Sequence, residues 1–162
     1  MSVYSTLDRP AGGQGILRTG MLIGLSGGLA EIVVVGLYSA FTGGDAAMVA
    51  RQVASAVGLD GASAAAGVAV HMGLAVALGI VLSAVVQSLA ALLTRDRAIW
   101  AFMIGSLAAV WAINYFIVLP VVSPGFVHLL PYANTLTSKL AFGVAAAAAL
   151  QVLRPVRVGL YH

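Results

Sequence analysis

Apolar residues gather into four long runs, at about 17–41, 64–93, 98–119 and 134–153. Each comes close to the roughly 20 residues that carry an α-helix across the hydrocarbon core of a bilayer. Polar and turn-forming residues collect between the runs. The pattern predicts an all-α membrane protein, a four-transmembrane-helix bundle over 17–153. Two cytoplasmic tails flank it, 1–16 and 154–162.

The connections carry their own signals. In the first outer loop, 42–63, Asp45 can cap a short helix and Gly58 can end it. Val49, Val53 and Val57 would share a face of that helix, with Arg51, Gln52 and Ser55 elsewhere. The expectation is an interfacial helix lying on the bilayer. The second outer loop, 120–133, reads PVVSPGFVHLLPYA and holds three prolines. Ser123 before Pro124 is a helix-start signal, and Pro131 limits the turn that follows. A loop this apolar should tuck against protein or headgroups. His128 is its one ionisable group.

Composition fixes the solvent. Of 162 residues, 61% are hydrophobic and 8% charged, against about 25% charged in a soluble domain. Such a chain has too little polar surface for water. The formal charge of +3 reads as topology, because the arginines sit at helix ends. Arg9, Arg18, Arg95, Arg97, Arg154 and Arg157 fall on one side and only Arg51 in the loops of the other. This bias predicts both termini inside. Tyr38, Tyr115 and Tyr132 then fall near the outer interface and Trp100 near the inner one. No basic run is present, so nucleic acid is excluded as a partner. There is no cysteine, which removes disulfides, thiolate metal sites and cysteine nucleophiles. The first run holds Glu31 in its middle, unlike a cleavable signal, so it is expected to stay as a signal anchor. The richness in Ala, Gly and Val suggests a bacterial inner membrane.

The two halves resemble each other. Gly27-Gly28-Leu29-Ala30-Glu31-Ile32 in the first helix aligns with Gly105-Ser106-Leu107-Ala108-Ala109-Val110 in the third. His71 of the second helix aligns with Lys139 of the fourth, and Gly79 with Ala147. Both halves run in–out–in, so a duplicated hairpin would repeat about an axis along the membrane normal.

Small residues recur every three or four positions. Helix one has Gly20, Gly24 and Gly27, helix two Gly67, Ala75 and Gly79, and helix four Thr135, Gly143 and Ala147. That spacing lets helices approach closely in lipid. The glycine stripe of helix one is expected to be an exposed docking face. Glu31, His71 and Lys139 lie on these same stripes and so should face other helices. Lipid exposure of a charge at the bilayer centre costs at least about 2.5–3.5 kcal/mol.

Depth groups them further. At about 1.5 Å per residue, His71 lies roughly 10 Å below the outer end of its helix, Lys139 and Asn114 roughly 8–9 Å, and Glu31 roughly 15 Å. These four form the candidate intramembrane polar site, with Tyr38, His128, Asn134 and Ser138 at its mouth. Glu31 and Lys139 can pair and fix which helices meet. Alternatively, the cluster marks a proton relay, a small polar substrate, or a quinone or lipid headgroup. His71 with His128 or Glu31 is the candidate metal or haem ligand set. No tight ligand spacing supports it, Lys139 would repel a cation, and no cofactor is strongly indicated.

Catalytic motifs are missing. Neither a nucleophile elbow, a Walker motif nor a zincin helix occurs. Gly12-Gly13-Gln14-Gly15 has no strand before it and is not a dinucleotide fingerprint. Catalytic activity of its own is not expected. The function expected is an accessory or structural subunit of a membrane complex or homo-oligomer. Its partners would be the lipid bilayer, other membrane subunits or a second copy. The alternative is a small transport, proton-relay or ligand-, metal- or haem-binding membrane protein with a polar site in the outer half of the bilayer.

Overall fold

The computed structural model describes residues 13–153. Of the tails expected at 1–16 and 154–162, residues 1–12 and 154–162, with Arg9, Arg154 and Arg157, lie outside the described residues. Among those described, the architecture is all-α without strands. Its elements are α1 (Gly13–Thr42), α2 (Ala46–Ser55), α3 (Ala64–Ser88), α4 (Asp96–Ile113), α5 (Leu119–Val122) and α6 (Tyr132–Leu153). A π-helical turn, Asn114–Val118, joins α4 to α5, and a 3₁₀ turn, Phe126–His128, lies in the following loop. Four segments are long and apolar enough to cross a membrane: Gly13–Thr42, Ala64–Ser88, Asp96–Val122 and Tyr132–Leu153.

Helix starts follow the side-chain chemistry. Asp45 accepts the Met48 N–H at 2.9 Å and caps α2. Ser63 accepts the Ala66 N–H at 3.2 Å and caps α3. Each satisfies a backbone donor that has no partner within its helix. Past α2, Gly58 has φ +84, a conformation that favours glycine. Two ends differ from expectation. α1 begins by Gly13, so Gly13–Ile16 belong to the helix rather than to a tail. α3 stops at Ser88, and Leu89–Leu93 form tight turns with Leu93 N–H on Leu89 O at 2.9 Å. The chain must reverse within a few residues to enter α4, so the last apolar residues of the run leave the helix while Leu93 stays buried.

Pro120 explains the π turn. It lacks an N–H, and its ring would crowd the Phe116 carbonyl in a regular α-helix. The helix widens just ahead of it, with the Leu119 N–H reaching back to Asn114 O. That keeps Asp96–Val122 one continuous span and turns Tyr115 inward, where it is buried.

α1 packs against α3 on one side and α6 on another; α4 lies on α6, and α2 crosses α3. Glycines set these approaches. A Cβ on Gly24 would overlap the Ala75 carbonyl and the Val76 backbone, and one on Gly79 would overlap Gly20 and Gly24. A Cβ on Gly27 would occupy the Phe142 ring, and one on Gly67 the Ala50 carbonyl. This overturns one expectation. The glycine stripe of α1 is not an exposed docking face: Gly20, Gly24, Gly27 and Gly28 are buried against α3 and α6. α2 forms where a short helix was expected in the first outer loop, with Val49 and Val53 half-buried. Its buried centre is Ala54 beside Ala50, and Val57 is 49% exposed, because only small residues allow the crossing at Gly67.

The largest fully buried side chains are Phe142, Ile23, Ile99, Met103 and Leu107. Leu25, Leu29, Val33, Leu37, Val81 and Val85 point outward. Apolar side chains gain little by moving from hydrocarbon into a bundle, so close backbone packing and polar contacts carry the association.

The hairpins bear on duplication. The alignment places Gly24 against Ala75 in the first hairpin on Phe102 against Gly143 in the second. The second hairpin's close approach is Ile104 and Met103 against Gly143, within two residues of that register. The hairpins do not assemble symmetrically, however. α1 packs closely on α6, whereas among the described residues α3 and α4 have no comparable approach.

Candidate functional site

Glu31 sits where α1 is pressed between α3 and α6. One turn before it, Gly27 and Gly28 remove the bulk that would hold the helices apart. Phe142 of α6 covers Gly27, and Ala75 and Met72 of α3 cover Gly28. The Glu31 side chain is 6% exposed.

Lys139 reaches it from α6. Its Nζ lies 2.7 Å from Glu31 Oε1 and donates to Oε2 at 3.0 Å. Contact with both oxygens is the geometry of an ionised carboxylate accepting charge-assisted hydrogen bonds. The same Nζ stands 5.7 Å from the centre of the Phe142 ring, within cation–π range. His71 approaches from α3, with Nε2 3.3 Å from Gly28 O and 3.7 Å from Glu31 Oε2. Lys139 from α6 and His71 from α3 thus converge on the one carboxylate of α1.

The remaining candidates divide. Ser138 and Asn134 are buried on α6. Ser138 Oγ donates to Thr135 O at 2.8 Å, and Asn134 Nδ2 is buried with no hydrogen-bond partner. Tyr38 is half-buried on α1. Asn114 opens the π turn, half-buried, and no hydrogen bond joins it to Glu31, His71 or Lys139. His128 is exposed in its 3₁₀ turn, away from any contact with His71 or Glu31. Among the described residues, no three His, Cys, Asp or Glu side chains gather at one point. At the triad the donors are one imidazole and one carboxylate, and the Lys139 ammonium repels a metal cation.

Sequence reasoning missed an aromatic cluster at the α2-side end of the bundle. Trp111 stacks on Tyr115 at 5.8 Å between ring centres. Tyr115 meets Tyr132 edge-on at 5.1 Å, and Phe116 lies 5.7 Å from Tyr132. Tyr115 donates to Leu130 O at 3.1 Å or Val127 O at 3.3 Å, and Trp111 Nε1 donates to Thr135 Oγ1 at 3.0 Å. Thus the apolar loop is pinned by a helix side chain, with Leu130 and Ser123 buried. The four-residue spacing of Trp111 and Tyr115 was visible; the π turn that aims Tyr115 was not. Phe142 was legible too, one turn beyond Lys139. Outside the spans, Asp45 is held below the usual carboxylate range by the Met48 N–H and, more weakly, by Arg51, whose Nη2 lies 3.1 Å away.

Fold and site together define an integral membrane protein, an all-α bundle of four membrane-crossing segments with a buried, internally paired carboxylate. Comparison with protein-family models, curated proteins and solved structures found no match.

Proposed function

We propose that this chain is an accessory or structural subunit of a membrane assembly, either with other membrane subunits or as a homo-oligomer. The observation that carries this reading is the Glu31–Lys139 pair with His71 beside it. The charge buried within the bundle is engaged in holding α1, α3 and α6 in register. That is the use of polar groups as glue between membrane helices.

The lipid-facing surface supports it further. Ala65, Ala69, Gly73 and Ala77 on α3 are exposed, as are Ala101, Gly105 and Ala109 on α4. A Cβ on Gly73 or Gly105 meets nothing within 4 Å. Faces of small residues at this spacing admit a further helix. The arginine distribution favours both termini on the cytoplasmic side, and the composition favours a bacterial inner membrane.

The test compares assembly with ligand content. Wild type, Glu31→Ala and Lys139→Ala are purified in mild detergent and examined by native mass spectrometry, absorption spectroscopy and metal analysis. A subunit role gives loss of the assembly in both variants. An intact assembly that loses bound ligand, metal or haem, or a strictly monomeric wild type carrying such a group, overturns the reading. It favours the alternative of a transport, relay or ligand-binding site at the triad.

A further inference from the structure

We propose that His71 Nδ1 is a proton-binding site, and that the proton it takes converts the Glu31–Lys139 pair into a three-group lock that ties α3 to α1. The inference rests on reading the triad as the register-setting element of the bundle and adds a ligand, the proton, to it.

The tautomer follows from the neighbours. His71 Nε2 faces Gly28 O at 3.3 Å and Glu31 Oε2 at 3.7 Å. A carbonyl oxygen can only accept. The Glu31 carboxylate, contacted by Lys139 through both oxygens, also accepts. Nε2 therefore carries the hydrogen, and in the neutral ring Nδ1 keeps a lone pair. No hydrogen bond to Nδ1 is found among the described residues, and the His71 side chain is 23% exposed. The basic nitrogen is thus the open one, and the nitrogen already carrying hydrogen points at the negative charge.

Proton uptake is balanced simply. Nδ1 takes H⁺ from the medium, no other bond breaks, and the triad passes from net neutral to a single positive charge. Two charged groups face the imidazolium: Glu31 from α1, and Lys139 from α6. α3 brings no other ionisable group to this level, and α4 is not packed against it. On α2, Arg51 is exposed and paired with Asp45. The carboxylate can accept from Nε2 once their separation closes from 3.7 Å. Lys139 then shares a carboxylate it formerly held alone.

The consequence falls on the α1–α3 contact. That interface is otherwise a seam of Gly20, Gly24 and Gly28 against Ile80, Gly79 and Ala75, which van der Waals contact holds. Among the described residues, no other ion pair crosses it. A proton on His71 adds a charge-assisted bond, stronger than a neutral one, to this seam.

The test uses the full chain in lipid nanodiscs with isotope-labelled histidine, the three resonances assigned through His71→Gln and His128→Gln. In wild type, neutral His71 should give the Nε2–H tautomer, and acidification should add the second proton at Nδ1. Glu31→Gln should make the α1–α3 distance indifferent to pH, whereas His128→Gln leaves its response in place. The chain has no cysteine, so spin labels at Phe41→Cys and Ala65→Cys report α1–α3 alone. Their distance distribution should narrow when His71 is protonated, and stay unchanged with pH in His71→Gln. A neutral Nδ1–H tautomer, a His71 that does not titrate, or unchanged label distances overturns the proposal. The tautomer readout needs no variant, so misfolding of Glu31→Gln leaves the proposal exposed to refutation. Loss of assembly in Lys139→Ala with a pH-blind His71 would sink the proton site alone. Intact assembly in that variant would sink the lock it rests on.

Discussion

At the scale of single residues, the energetics centre on Glu31. Removing one member of a buried pair leaves an uncompensated charge, which costs about 3–5 kcal/mol, although the pair itself need add little net stability. Lys139→Ala should therefore lower stability toward the smaller end of that range, since the lysine side chain is 21% exposed. The double variant Glu31→Gln/Lys139→Met should lose less than the single losses summed. Reversible unfolding in detergent micelles, run as a double-mutant cycle, measures this; strict additivity would mean the two groups do not interact. Asp45 makes a smaller, pH-dependent contribution. Its carboxyl is depressed in the fold from its ordinary 3.8, so its stabilisation is complete above that value and is lost as pH falls through the lower folded one. The Met48 amide resonance should report cap opening only under acid conditions below the ordinary aspartate range, and Asp45→Ala should abolish the transition.

At the scale of elements, glycine placement decides which helices touch. Gly24→Leu and Gly79→Leu should split α1 from α3, because the new side chains would need space held by backbone. Gly73→Ala and Gly105→Ala meet open space; they should be neutral, or stabilise by about 0.5–1 kcal/mol, the usual gain of alanine over glycine within a helix. Thermal unfolding of the four variants checks the contrast. The π turn and the loop after it form a second unit. Tyr115→Phe removes the hydroxyl that reaches Val127 and Leu130, at a cost of about 1 kcal/mol for a lost hydrogen bond. Limited proteolysis should then cut within 123–131 faster, with the spans left intact.

At the scale of the whole molecule, the exposed small-residue faces of α3 and α4 are what the chain offers to a neighbour. Gly73→Leu and Gly105→Leu should leave the isolated fold unchanged, since neither position has a neighbour within 4 Å. The variant on the face that is used should weaken assembly, as read by chemical cross-linking in native membranes. Two unimpaired variants would move the docking surface elsewhere. The hairpins also matter at this scale. Their internal registers agree only to within two residues, and among the described residues the close α1–α6 contact has no comparable counterpart between α3 and α4. Glu31 explains part of that asymmetry: its counterpart in the alignment is Ala109, so only one half has a carboxylate to draw a lysine across.

The sequence alone determined the solvent, the number of spans, the short helix at Ala46–Ser55 with its Asp45 cap, and the inward turn of Glu31, His71 and Lys139. These follow from periodicity, local capping and the cost of charge in hydrocarbon, which act within a few residues of chain. Tertiary structure decided the rest. It buried the glycine stripe of α1, which looked free, because a stripe of small residues does not say which helix will fill it. It left Asn114 in the π turn without a hydrogen bond to the triad and put His128 on an exposed loop, because equal depth in a bilayer leaves the angle around the bundle axis open. It converted a run before Pro120 into a π turn that aims Tyr115. Such choices depend on backbone approaches of a few ångströms between segments far apart in sequence, where shape complementarity, rather than pattern, selects the partner.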